Sequence, residues 1–460
     1  MNDNYYLEAK PKLIKVSTPL GIFVFICGLF ASQRFSLDGL NVFICILPYA
    51  FFFPYFLSKK LDIALSLIVI SLFLVCDNGG GVYTQTPTII RYMIYVSGLL
   101  MLIYLSRPKI AHRKLLFLII LAVVLLMTTL PSQMLVFDRA TFQRDILVFI
   151  ILSLVLISRS EVQLSLPLLF ATSFGFLIGE LVNINLFFSY SDDYMNYNSL
   201  KSFIVFPFLY VAFIKKEPLF AIGLFFLTIL IMFNYGSRML IGTFALLLLL
   251  AFMVDKFKHL RTVLLLTIFM SMLIVVINIY ELPAFDPGAS KYKAVMLFLN
   301  LINVIGSLDI LSTLKALDLT RFTEYQLFFS RPLFEVIFGS GLGSGIVDTE
   351  GLLGFVEYND TAFSVEEINN SVYFSLHDYW TDLGLRFGFL AVVFTFYLVS
   401  IKQMLLGRLV CGILFSILLL NTFFATSGLI FIALIIKFYP SEMRAMQSNK
   451  EQVANGASSL

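Results

Sequence analysis

Apolar stretches of roughly 15–20 residues, nearly free of charge, recur along almost the whole chain, and each is long enough as a helix to cross a hydrocarbon layer about 30 Å thick. The composition agrees. Of 460 residues, 59% are hydrophobic and 13% charged, with a mean hydropathy of +0.91. Soluble domains carry about 25% charged residues. A membrane β-barrel would alternate within segments of about ten residues instead. An all-α polytopic membrane protein is therefore expected.

The runs give about fourteen spans. They lie near 16–33, 40–57, 61–76, 88–105, 115–130, 145–158, 166–188, 200–214, 218–233, 239–254, 262–280, 385–401, 408–423 and 426–439. This divides the chain into an N-terminal segment 1–15, spans one to eleven in 16–280, a long loop at 281–384, spans twelve to fourteen in 385–439, and a tail 440–460. The opening MNDNYYLEAKPKLIK is polar and carries three lysines, so the first run reads as a signal-anchor helix that stays. Cys27, Cys45, Cys76 and Cys411 lie in or at the end of apolar runs, which implies no disulfide framework and no metal spacing.

Sidedness follows from the basic residues. With the N-terminus inside and the spans alternating, 20 of the 32 bases fall in inner loops and 12 in outer ones. Lys291, Lys293, Lys315, Arg321 and Arg331 belong to the long loop, where the positive-inside rule is weak; without them the ratio is 20 to 7. Both termini are then cytoplasmic. The kind of base also differs: 14 Lys and 6 Arg inside, 4 Lys and 8 Arg outside. Arginine is the residue for bidentate phosphate recognition. Arg34 and Arg139 read more simply as snorkelling or locally paired. The inner loops are too short for a nucleotide-binding domain and hold no P-loop, so neither nucleotide chemistry nor nucleic acid is expected there. The outer segment, Glu281–Gly384, is the place for extramembrane structure. Its apolar patches, such as Ala294–Val304, read as short helices on the membrane surface or on the bundle.

Four outer clusters carry the chemistry. In SLHDYWTDLGLRFGFL, Ser375–Leu390, His377 and Asp378 form an acid–base or orienting pair. Asp378, Asp382 and Arg386 share one helical face, and Asp382 with Arg386 is most simply an ion pair. In NYGSRMLIG, Asn234–Gly242, Arg238 stands at an outer mouth, where an ionisable residue points to function. In LTRFTEYQLFFSRPLFEVIFGSGLGSG, Leu319–Gly345, Arg321 opens a helix and Pro332 ends or kinks it. Gly339, Gly341, Gly343 and Gly345 there permit close backbone approach to a ligand. SDDYMNYNSLKSF, Ser191–Phe203, closes the set with carboxylates, amides and hydroxyls. His112 and His259 lie in basic inner loops and read as structural.

In this order the clusters resemble the O-antigen polymerase and ligase superfamily. His377 and Gly388 hold the spacing of its histidine motif. Gly236–Arg238, the turn Phe338–Gly345, and Asn198 in MNYNSL look like its other motifs. The resemblance covers about the last 270 residues. It departs at Asp378, where the ligases have an amide or serine, and at Ala391, where a glycine is usual; the first departure favours polymerase over ligase.

The resemblance implies a GT-C-like membrane glycosyltransferase acting on undecaprenyl-diphosphate-linked oligosaccharides. No cofactor or metal is expected: the diphosphate is already a good leaving group, and arginines can neutralise it. Arg238, Arg321 and Arg91 are then expected at the diphosphate, His377 with Asp378 at the acceptor hydroxyl, and Asn198, Arg331 and Arg386 at the glycan. Membrane lipids and a chain-length regulator are the expected partners. A lipid-linked glycan flippase could also have about fourteen spans but would want charge at the bilayer midplane, where Glu180 is the acidic residue in view.

Overall fold

Apolar runs fold as helices because a helix satisfies its own amides where water cannot. The computed structural model describes residues 17–32, 38–76, 86–105, 107–108, 138–159, 162–186, 200–234, 319–353, 365–374, 376, 381–389 and 426–439, with isolated helical residues at 119–127, 240 and 244. They are mostly helical. In chain order come α1 (Thr18–Ser32), α2 (Asp38–Leu57), α3 (Leu61–Ser71) widening into a π turn at Leu72–Cys76, and α4 (Thr88–Leu105). Then follow α5 (Arg139–Ile157) and α6 (Leu166–Leu186). A composite rod is built from a 3-10 turn (Leu200–Val205), α7 (Phe206–Leu209) and a π turn (Tyr210–Lys215), and α8 (Pro218–Asn234) comes after it. The outer segment contributes α9 (Leu319–Ser330), α10 (Leu333–Phe338) and α11 (Val365–Asn370). Residues 381–389 form α12, and α13 is Thr426–Phe438.

Two of these helices are long and apolar enough to cross a membrane: Gly39–Leu57, mean hydropathy 1.9, and Thr88–Leu105, mean hydropathy 1.7. The apolar stretches Thr18–Ser32, Leu61–Val75, Leu166–Val182, Ser202–Lys215 and Pro218–Met232 are shorter. The runs expected at 262–280 and 408–423, most of 115–130 and 239–254, the loop residues 281–318 and both termini lie outside the described residues.

Glycine brings α1 and α6 together. A Cβ on Gly28 would fall 2.1 Å from the Thr172 carbonyl oxygen, and one on Gly175 the same distance from that of Phe25. Gly179 meets Leu29 and Ser32. The two helices therefore run the same way. Gly175-Phe-Leu-Ile-Gly179 is the small-xxx-small pattern that lets apolar helices touch backbone to backbone.

Three buried hydroxyls are satisfied inside their own helices. Ser71, Ser173 and Thr228 each donate to the carbonyl four residues back, at 2.7 Å. Aromatic rings fill the interior. The Phe73 ring, on the π turn, lies 5.2 Å from both Phe176 and Phe203 and 6.4 Å from Phe431, joining four elements edge to face or tilted.

The chain ends expected inside gather together. β1 (Arg107–Pro108) pairs antiparallel with β2 (Ser158–Arg159), Arg107 facing Arg159. Gln163 N–H donates to the Asp62 carboxylate at 2.7 Å, and Leu164 N–H to the Phe438 carbonyl at 2.8 Å. Two tight turns here, at Lys59 and Lys216, take left-handed φ of 59° without a glycine.

Gly175→Ala should lower the stability of the detergent-solubilised protein by about 1–3 kcal/mol, since backbone must move. Gly223→Ala, with open space around it, should be neutral or stabilising by up to about 1 kcal/mol. Thermal melting of the two variants checks this.

Candidate functional site

An arginine inside an apolar setting must pair its nitrogens, and all three of Arg386 are paired. Its side chain is fully buried. Nε donates to Asp145 Oδ2 at 3.1 Å, and Nη1 to Asp382 Oδ1 at 2.5 Å and to the Asp382 carbonyl at 3.1 Å. Nη2 donates to the Phe374 carbonyl. Both carboxylates are themselves fully buried. Arg144 flanks them, its Nε 3.6 Å from Asp145 Oδ1 and its Nη2 3.4 Å from the Phe374 carbonyl oxygen. Burial pushes the Asp382 carboxyl above its ordinary value, against the pull of Arg386 and Arg144.

Two elements aim these groups. Asp138 caps α5: its carboxylate accepts from Thr141 N–H at 2.7 Å, so the helix starts at Arg139 and not at the expected 145. That extra helical stretch puts Asp145 inside α5, facing the glycine turn. Asp382 stands on the first turn of α12 and accepts from Leu376 N–H at 3.0 Å. The chain is thus tied at Phe374 and Leu376, immediately before His377.

The glycine turn packs directly on this cluster. Gly343 N–H donates to Asp145 Oδ2 at 2.9 Å, and its carbonyl accepts from Asp138 N–H at 3.0 Å. Ser340 and Gly341 N–H groups donate to the Leu385 and Arg386 carbonyls at 2.7 and 3.2 Å. Gly339 and Gly388 have φ of 86° and 79°, and a Cβ on either would meet backbone of the facing segment at 2.3 or 2.1 Å. At 339 and 388 the close approach that glycine permits is that of the two segments to each other. Glycine at 388, the last position of the His377 motif, is needed to clear the Ile337 carbonyl.

Arg331 stands beside the cluster, on the hinge between α9 and α10. Its Nε donates to the Phe328 carbonyl at 3.1 Å and its Nη1 to Ser340 Oγ at 2.8 Å, which in turn donates to Glu335 Oε2 at 2.9 Å. The guanidinium lies 4.4 Å from the Phe328 ring centre. Burial pulls it down to about 10, opposed by Glu335 and helped by repulsion from Arg386; it stays charged at neutral pH.

The expected site residues thus divide. Arg331 and Arg386 come together. Arg386, expected at the glycan, is fully buried, with all three nitrogens paired within the fold. Arg91 donates to Thr88 Oγ1 at 3.0 Å on the first turn of α4. Arg321 is on the first turn of α9. His377, Asp378, Arg238 and Asn198 lie outside the described residues. Among the described residues no three metal-ligating side chains cluster. The sequence reading missed Asp145, Asp138, Ser340 and Glu335. Opposite charges at the outer mouths of two runs, Asp145 and Arg386, were the available signal.

Beyond this centre the outer segment has a small core of its own: Leu327, Ile346, Leu353, Tyr373, Leu376 and Leu385. β3 (Ile346–Val347) pairs antiparallel with β4 (Val372–Tyr373), and the Asp348 carboxylate accepts from Leu352 and Leu353 N–H groups at 2.9 and 2.8 Å.

No family model matches this chain, and no curated protein or solved structure is similar to it.

Removing one partner from a buried ion pair strands the other charge. Arg386→Met should therefore cost about 3–5 kcal/mol, and Arg386→Lys should not restore it, lacking the planar fork. Gly388→Ala should lose at least about 1–2 kcal/mol from its left-handed φ alone. Melting of the purified variants in detergent reads both effects.

Proposed function

We propose that this chain is a polytopic inner-membrane glycosyltransferase. It joins undecaprenyl-diphosphate-linked oligosaccharide repeats into a surface polysaccharide of the O-antigen type, on the outer face of the membrane. About fourteen helices cross the bilayer, and both termini face the cytoplasm.

The observation that carries this reading is the meeting of the turn 339–345, Arg331 and the segment leading into His377 around one buried ion cluster. Asp145, at the centre of the cluster, lies 198 residues from Gly343 and 241 from Arg386, yet all belong to one expected side. The hydrogen bonds at 62, 163 and 438 join expected inner ends to one another. The two helices long and apolar enough to span support the membrane setting.

In the proposed reaction His377 takes the proton of the acceptor sugar hydroxyl, oriented by Asp378. The hydroxyl oxygen bonds to the anomeric carbon, and undecaprenyl diphosphate leaves with the bonding electron pair. Arg238, Arg321 and Arg91 stabilise the charge on that leaving group. Asn198 and Arg331 contact the glycan. Arg386, Asp145 and Asp382 hold the floor on which they stand. Membrane lipids surround the bundle, and a chain-length regulator is the protein partner of this scheme.

Purified protein with a synthetic undecaprenyl-diphosphate repeat, EDTA and no lipid A-core should yield a polymer ladder on a gel. His377→Ala should slow it by about 10²-fold or more, and Arg238→Ala by about 10²–10³. Transfer only after adding lipid A-core makes the chain a ligase. Movement of the lipid across liposomes with neither product makes it a flippase.

A further inference from the structure

Helix α10 is Leu-Phe-Glu-Val-Ile-Phe, Leu333–Phe338, and none of its residues is buried. Leu333 is 74% exposed and Phe334 62%; Phe329, at the end of α9, is 55% exposed. An apolar cluster on the tip of a helical hairpin needs a cover. Its position says which. Ser340 and Gly341 fasten the end of α10 to the Leu385 and Arg386 carbonyls, and Gly388 approaches the Ile337 carbonyl oxygen. The next residue, Phe389, is 40% exposed and opens a run without charge to Val399, where the twelfth span is expected to enter the bilayer. The end of α10 is therefore fastened beside the residues that lead into the expected point of membrane entry. Arg331 stands at the base of the exposed cluster, against the Phe328 ring, with Nη2 lacking a hydrogen-bond partner. Apolar and aromatic side chains flanked by an arginine are the composition of a membrane interface.

We propose that the α9–α10 hairpin is a membrane-surface patch. Phe329, Leu333 and Phe334 enter the outer leaflet at the boundary of headgroups and acyl chains, with Arg331 at the level of the lipid phosphates. This rests on the reading of the chain as membrane-embedded with this side outward. It fixes the turn 339–345 and the approach to His377 at the depth where the diphosphate of a membrane-anchored lipid lies.

The test places single tryptophans in the full chain, in a Trp380→Phe background, reconstituted in liposomes. The lipids are brominated near the headgroup end or near the methyl end of the acyl chains. Phe334→Trp should be quenched most by the shallow bromines, about 5–10 Å into the leaflet, and Val347→Trp, exposed on β3, by neither. Val96→Trp, exposed on α4, reports the bilayer itself. Quenching at 96 without quenching at 334 overturns the patch while leaving the membrane reading intact. A blue-shifted but unquenched signal at 334 assigns the cover to protein, a second copy or another segment of this chain. No quenching at either position overturns both.

Discussion

One guanidinium, held between two buried carboxylates, joins the outer segment to the helices beneath it. Arg386 meets Asp145 from α5 and Asp382 from its own helix, with no exposure on any of the three side chains. Such a cluster gains little over a hydrophobic substitute, because desolvation offsets most of the attraction. Its worth lies in specificity. A buried charge has few acceptable partners, so it selects one register for three pieces of chain. The glycine turn follows from this. Its amides serve the carboxylate of Asp145 and the carbonyls of α12, and only glycine at 339 and 388 allows that approach. The tie from Asp382 to Leu376 then fixes where the chain stands as it reaches His377.

Among the described residues, the helices beyond the cluster pack by apolar contacts and by hydroxyls bonded within their own helices. Rings around Phe73 and the glycine contact of α1 with α6 hold them together. This division suits the proposed reading, in which the body faces lipid and the chemistry faces outward. Helices without a hydrophobic drive between them associate through close packing, whereas a charged site at the outer mouth needs a fixed polar frame. The exposed apolar hairpin α9–α10 belongs to both regions.

The apolar helices were legible because their runs are long and their interruptions charged. The runs placed α2 and α4 within a residue or two of their ends. The start of α5 was not, because a polar first turn with its cap at Asp138 reads as loop when only hydrophobicity is weighed. The pairing of Asp382 with Arg386 is local and was readable from spacing. The pairing of Arg386 with Asp145 spans 241 residues, and no local pattern encodes it. One partner of Arg386 is therefore visible in the sequence, and the second, which completes its burial, is not. The glycines of 339–345 were recognised as a close-approach device, but what approaches them depends on the fold. The left-handed turns at Lys59 and Lys216 carried no glycine to announce them.

Hydrogen exchange on full-length protein in detergent, wild type against Asp145→Ala, tests the role of the ion cluster most directly. If Arg386 and Asp145 fasten the outer segment to the bundle, protection is lost at 339–345 and 374–382 in the variant. The helices at 61–76 and 166–186 keep theirs. Unchanged protection at 339–345, or equal loss in every helix, would contradict it.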